Sequence, residues 1–474
     1  DHDCYVIRFE PDGEGQSLYR GTLWIERRTF ARVQVQAVQT QLSAPVVSNE
    51  EVQTYAPVAA IGNRPVFLFS RLEAKQIMLI AGRNLLVEKR VVFSDFQIND
   101  ERFARGRLEA RRSNHVMYRE TDRGLRYYVK EGDTRVVSER ATRTARAMAM
   151  GVTLDPSYGF PLPILGINYL NFEFLRRQDT QLAVLFAGVL AAGNLQRSKL
   201  GGTPFDASVD FFAIAVPSTE RLYDAQGERD AERLLTWPMT TGVNVGWQYT
   251  PFQKLTGQYQ FRFDGYTRER TTAEDFRVPA STVTNGFGAS WEYRRAGYNV
   301  VLNGTWFRRL GWRAWGAPDG TPAGVYNTYG KYSASVSRDL HFKVFHKIHL
   351  NAAWFGGRDL DRFAKYQFGM FDDTRIHGVP ASGVRFGDLG VVRGSYSFNL
   401  FDQYRLDLFL EQAWGLDRAF DDLWQPITGI GAAVNFRAPW NTILRADFGK
   451  SFLTDRYSGV GSATLQIMVL KPLR

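Results

Sequence analysis

The sequence predicts an all-β protein: a transmembrane antiparallel β-barrel preceded by an N-terminal antiparallel half-barrel sheet. Three observations carry this prediction. Alternating apolar and polar residues recur in segments of about 9–13 residues, the length that crosses a bilayer at barrel tilt. The segments are joined by turns that are short on one side and long on the other, as in outer-membrane barrels. Aromatic residues, 14 % of the chain, gather near segment ends, where interfacial girdles lie. Dilution of apolar residues by alternation also explains why 44 % hydrophobic content coexists with a slightly negative mean hydropathy. No run of about 18 apolar residues marks a transmembrane helix.

The 474 residues are divided into three parts, at 1–100, 101–160 and 161–474. In the first, segments resembling strands follow one another: Cys4–Phe9, 17–26, 31–40, 46–55, 65–74 and 85–96. The clearest is 31–40, where Val33, Val35 and Ala37 share one face and Arg32, Gln34 and Gln36 flank or oppose them. This is an antiparallel meander with one apolar face. Cys4 is the only cysteine, so no internal disulfide forms. The chain opens at Asp1 almost inside a strand, and residues upstream are expected.

The second part is a basic connector in which arginine recurs every few residues, including Arg102, Arg105, Arg107, Arg111 and Arg112. Such a run is a solvated face or a contact with inner headgroups. Residues 138–150 read as a short helix, and Pro156, Pro161 and Pro163 mark the boundary.

In the third part, Leu255, Gly257, Tyr259, Phe261 and Phe263 oppose Thr256, Gln258, Gln260 and Arg262. Tyr404, Leu406, Leu408 and Leu410 likewise oppose Arg405, Asp407 and Glu411. A lumen filled with water explains why charges are tolerated in almost every strand. Fourteen strands are counted directly, and sixteen result if two more lie hidden in the connector. The net charge of +10 is spread thinly and no nucleic-acid motif accompanies it, so it points to outer-membrane lipids or lipopolysaccharide rather than nucleic acid.

Nothing marks an enzyme. No nucleophile elbow and no phosphate loop is present. His346 and His349 point to opposite faces of one strand, so they do not form a metal site, and no cofactor is expected. The lumen acids Asp407, Glu411 and Asp447 alternate with Arg405 and Arg445, which suggests ion-pair networks rather than a catalytic pair.

Two stretches resemble known families. The run YRGTLWIERRTFARVQVQAV resembles the strand–turn–strand of LolA/LolB-type lipoprotein carriers. That resemblance implies a periplasmic module with an acyl-chain cavity, lined here by Val33, Val35 and Ala37. The run YQFGMFDDTRIHGVPASGVRFGDLG at 366–390 resembles the sixth extracellular loop of the BamA/TamA and two-partner-secretion transporter superfamily. Ile376, His377, Gly378 and Val379 stand at that loop's (V/I)-R-G-(F/Y) signature, and Asp388 lies in the following strand start. Five strands after the loop match a 16-strand barrel of that class. The resemblance implies that the loop locks onto a carboxylate of a later strand, where Phe409-Leu410-Glu411 stands. His377 replaces the usual Arg and Glu411 the usual Asp, so a His–Glu pair holds the loop only when the imidazole is protonated or hydrogen-bonded. Arg375 is the alternative partner. The implied role is handling unfolded protein, lipoprotein or lipid cargo at the outer membrane, with possible envelope partner proteins. A passive solute channel and a structural envelope protein are the competing readings.

Overall fold

The protein is described from a computed structural model. It describes residues 3–473 except 13–17, 41, 43–45, 63, 81–82, 114–117, 122–123, 133, 138–143, 159, 178, 225–226, 251, 296, 319–324, 343–345, 369–373, 382, 401–402, 419–422, 439–441, 455–456 and 458–461. Two compact units are present. One comprises Asp1–Thr144 with Asn171–Gln181, and the other Ala145–Leu170 with Leu182–Arg474.

The first unit contains an open six-stranded antiparallel meander in sequence order. Its strands are Cys4–Phe9, Tyr19–Glu26, Arg32–Gln39, Val46–Ile61, Arg64–Ile80 and Arg83–Val92. Val35 and Ala37 stand opposite Leu23 and Gly21. Val33 falls where the register shifts, so it has no direct partner in that ladder. Ala37 is buried, whereas Val33 and Val35 are partly exposed. The connector holds a helix, Phe103–Arg112, none of whose residues is buried. Arg135, on the following three-stranded sheet, donates to the Arg111 and Tyr128 carbonyls at 2.8 and 2.9 Å. One of the connector's arginines thus ties the helix's carbonyl end to the sheet.

The second unit is built around a closed antiparallel barrel of sixteen strands. It begins earlier than the composition boundary at residue 161. Its first strand is Thr144–Leu154, over most of the stretch that reads as a helix. Arginine and alanine favour helix locally, but Thr144–Leu154 closes the sheet, and ladder pairing overrides propensity. Residues 138–143, the rest of that expected helix, lie outside the described residues. Pro163 lies inside the second strand, Leu162–Asn171, rather than in a linker.

Closure joins the first strand to the last, Ala463–Leu473. Nine residue pairs run from Arg146 opposite Leu473 to Leu154 opposite Leu465. Pro472 faces Ala147 within this ladder. Strand direction alternates so that the turns at 250–253, 400–404 and 438–442 share one end with the last strand's terminus. The segments at 215–233, 269–281, 311–327, 359–387, 417–424 and 453–462 share the other.

The alternation read from the sequence places the side chains. On the thirteenth strand, Tyr404–Leu416, Leu408, Leu410 and Trp414 face outward while Asp407, Glu411 and Ala413 are buried in the lumen. Leu410 is 64 % exposed and Glu411 4 %. Outward aromatic pairs mark the short-turn end, among them Trp247 with Tyr249, Trp291 with Tyr293, and Tyr404 with Phe436.

Leu410→Arg puts a cation on the lipid-facing surface. It should cost about 2–4 kcal/mol if Leu410 lies near the bilayer midplane, read by urea titration of the protein refolded in lipid vesicles. A change near zero would mean that this face does not meet hydrocarbon.

Candidate functional site

The site is built on the connection between the eleventh strand, His346–Arg358, and the twelfth, Asp388–Leu400. It is the sixth connection on the long-loop side. Most of its described residues are buried, which an ordinary surface loop would not be.

Buried ion pairs hold its stem. Asp361 accepts from Arg309 through both guanidinium nitrogens, one at 3.0 Å, and from Trp312 Nε1 at 3.1 Å. Arg362 Nε lies 3.2 Å from Glu220 Oε1, and Arg385 pairs with the other oxygen of the same carboxylate. Lys365 pairs with Asp417. Stem residues therefore reach three neighbouring connections or their flanks. A two-residue ladder, Tyr366–Gln367 against Arg385–Phe386, continues the loop. Phe368, Ile376, Val384 and Phe386 then pack with Leu389, Val391 and Ile427 into an apolar cluster.

The tip lies on the inner wall of the thirteenth to fifteenth strands, the last two being Gln425–Ala438 and Thr442–Phe452. The backbone N–H of His377 donates to Glu411 Oε2 at 2.6 Å. Its ring stacks on Phe409, with centroids 4.1 Å apart and planes at 17°. Nδ1 approaches Glu411 Oε1 at 3.0 Å and Nε2 approaches Asp447 Oδ1 at 3.6 Å. Neither ring nitrogen makes an aligned hydrogen bond among the described residues. Proximity and alignment disagree here, and the aligned backbone bond is the firmer anchor.

Three glycines make this approach possible. A Cβ on Gly429 would lie 2.5 Å from Ile376 Cγ2, one on Gly431 2.6 Å from His377 Cδ2, and one on Gly449 2.4 Å from the Gly378 nitrogen. Gly378 itself has φ +81°, and a Cβ there would lie 2.2 Å from Ser451 N. Both the left-handed backbone and the close contact therefore require glycine. Ser451 Oγ donates to the Gly378 carbonyl at 2.9 Å. Ala381 N donates to Asp155 Oδ2, beyond the first strand, at 3.1 Å.

The structure thus brings Ile376, His377, Gly378 and Glu411 together. Arg375 is directed to Asp447 at 3.4 Å, and Arg445 meets the same carboxylate at 2.9 Å. Asp388 is elsewhere: it starts the twelfth strand opposite Leu416, with Arg418 3.5 Å away. Arg405 pairs with Asp407 at 2.7 Å. Sequence reasoning named Asp447 only as one lumen acid among several and Phe409 only as part of the motif, and it missed the glycines of the floor. Their signal was present as glycines at alternate positions, 429 and 431, on an inward face. His346 and His349 have separate partners, Tyr396 Oη at 2.6 Å and Asp339 Oδ1 at 2.7 Å. Among the described residues, no group of three or more His, Cys, Asp or Glu has the arrangement of a metal site.

Beside the loop a cavity of about 510 Å³ remains in the lumen, lined among others by Asn244, Gln258, Arg262, Asn303, Lys331 and Tyr366.

No family model and no curated protein matches the sequence. Solved structures do match. CdiB from Escherichia coli is 14 % identical, with 77 % of this chain and 69 % of that one covered at a TM-score of 0.51. BamA from Haemophilus ducreyi lacking POTRA domains 1–3 is 11 % identical over 78 % and 77 % of the two chains, with a TM-score of 0.48. CdiB from Acinetobacter baumannii is 7 % identical over 76 % and 65 %, with a TM-score of 0.47. The likeness to Escherichia coli CdiB is one of fold: the second unit is a sixteen-stranded barrel similar to that structure.

Glu411→Ala removes the acceptor of the His377 amide. It should cost about 1–3 kcal/mol of loop anchoring, as leaving a buried N–H without its acceptor does, and should speed protease cleavage within 366–386. Gly429→Val should do the same by steric displacement of Ile376. Glu411→Gln, which keeps an acceptor oxygen, should fall between these and the parent. Equal cleavage of all four proteins would remove Glu411 and Gly429 from the anchoring role.

Proposed function

We propose that this protein is an outer-membrane transport barrel that inserts or exports hydrophobic or unfolded cargo past a loop-plugged lumen. The observation that carries this reading is the sixth connection folded inward, with His377 seated on Glu411 and a floor of glycines. A loop buried on this many specific partners occupies lumen that a passive solute channel would use for passage. The resemblance of residues 366–390 to the loop of the BamA/TamA and two-partner-secretion superfamily supports the same class of function. Unfolded protein is the cargo that resemblance favours, with lipoprotein or lipid as alternatives.

The route for membrane-directed cargo is the seam between the first and last strands. It has nine residue pairs, against eight between the fifteenth and sixteenth strands. Pair number therefore does not single it out. Pro472 withholds one N–H from its ladder, as Pro238 and Pro426 do from theirs, so what sets the seam apart is that it joins the first strand to the last. In this reading the N-terminal sheet lies in the periplasm, where the partly exposed face around Val33, Val35 and Ala37 meets acyl chains or apolar cargo. The positive net charge suits contact with lipopolysaccharide or other anionic lipids.

Planar-bilayer conductance separates the readings. The intact protein should give low, flickering current, and deletion of 366–386 should make it large and steady. Large, steady current from the intact protein would establish a porin-like channel instead. A second measurement addresses the seam. Val152 and Ile467 are directly opposite, so V152C/I467C in a C4S background should form a disulfide on oxidation. If cargo leaves by the seam, oxidation should stop insertion and reduction should restore it, while conductance stays unchanged. Undiminished insertion in the cross-linked protein would exclude the seam.

A further inference from the structure

The stem of the inward loop holds more buried positive charge than its function as a tether requires. Arg362 and Arg385 both lean on one carboxylate, Glu220, which is 1 % exposed. Together with Arg221 and Lys365 they line a small cavity of about 20 Å³, in which Asp417 is the one acidic lining residue among the described residues. Lys365 is committed to Asp417. Three guanidinium N–H groups are not committed. Arg362 Nη1, Arg385 Nε and Arg221 Nε are buried and meet no hydrogen-bond acceptor among the described residues. The nearest further carboxylates are at ion-pair range only: Glu232 Oε2 is 3.6 Å from Arg362 Nη1, and Glu228 Oε1 is 3.7 Å from Arg221 Nε. Burial pushes the Arg362 guanidinium below its ordinary value, and the neighbouring Arg385 adds to that. Tyr223, also lining the cavity, is pushed up to about 12, chiefly by burial, and so stays neutral.

A buried guanidinium without a full set of acceptors is costly. From these groups we infer a binding site for a small monovalent anion, of halide size, held between Arg362 and Arg385 in the stem of the inward loop. The volume suits one water-sized species, and a tetrahedral oxyanion such as sulfate or phosphate is too large. Such an anion gives the uncommitted N–H groups the acceptor that Glu220, Glu228 and Glu232 do not supply within hydrogen-bond distance. It thereby fastens the stem to the segment Ser218–Glu220, which pairs with the sixth barrel strand. The inference concerns the stem alone and does not depend on what the barrel transports.

Thermal unfolding of the purified full chain in detergent tests it, with sodium chloride replaced stepwise by sodium gluconate at constant ionic strength. The midpoint should rise saturably with chloride, and bromide should act in the same way. Arg385→Gln should abolish the dependence while unheated gel migration still reports a folded barrel. Should that variant not fold, crystals of the parent protein soaked in bromide carry the test. An anomalous peak is expected within hydrogen-bond reach of the Arg362 and Arg385 nitrogens. Identical midpoints in chloride and gluconate, or a cavity that holds only water in the bromide crystal, would overturn the assignment.

Discussion

Burial of the Glu411 carboxylate is the constraint on which the inner half of the structure depends. A carboxylate that is 4 % exposed must be supplied with donors. Its own strand cannot supply them, because the backbone groups of Tyr404–Leu416 are used in ladders on both sides. The donor comes instead from the loop tip, through the His377 amide. That one bond fixes how deep the tip sits, and the depth in turn demands Gly429, Gly431 and Gly449 on the wall and Gly378 in the loop. Enlarging any of the four would force the tip away from the carboxylate, so carboxylate and glycines form one device.

The same geometry accounts for a histidine where the resembled loops carry arginine. A guanidinium reaches a carboxylate at a distance and satisfies it bidentately. Here the main chain itself lies against the wall, and a long side chain would have nowhere to go. The imidazole is short and flat, fits over the ring of Phe409, and leaves the amide to make the principal bond. The arginine chemistry is not lost but displaced by two residues: Arg375 turns to Asp447, which Arg445 also meets. Two carboxylates, on the thirteenth and fifteenth strands, thus divide the task, one receiving the backbone and the other the cation.

Most of the barrel was legible because its period is two and a lipid face tolerates few exceptions. Leu408, Leu410 and Trp414 could be assigned outward from alternation alone. The first strand was not legible: Thr144–Leu154 is rich in Ala and Met and flanked by arginine, a composition that suits helix as well as strand. Its assignment depends on pairing with Ala463–Leu473, more than 300 residues away, and local propensity carries no trace of that partner. At the site, His377 and Glu411 could be matched through the resembled motif. The glycine floor could not, since glycines in a strand are equally read as bulges or flexible points. Asp388 was grouped with the lock because it adjoins the motif in sequence, yet the twelfth strand carries it to the rim. Adjacency in the chain fails as a guide wherever a loop turns inward.

Two fastenings at different heights then limit how the barrel can open. Withdrawing the sixth loop means releasing the Glu411 anchor, the apolar cluster around Phe368 and Phe386, and the pairs of Asp361, Arg362, Lys365 and Arg385 together. Parting the seam breaks fewer specific contacts, but it exposes unpaired N–H and C=O groups to hydrocarbon, at several kcal/mol each. Neither movement is cheap for the empty barrel. A chain that itself offers an extended strand changes the second balance, because its backbone can replace the lost pairing on either edge. Pro472 reduces what the closed ladder gains, without altering what an incoming strand can offer at the other edge. On energetic grounds, then, a parted seam is tolerable only where another strand pairs with its exposed edges, whichever segment supplies that strand.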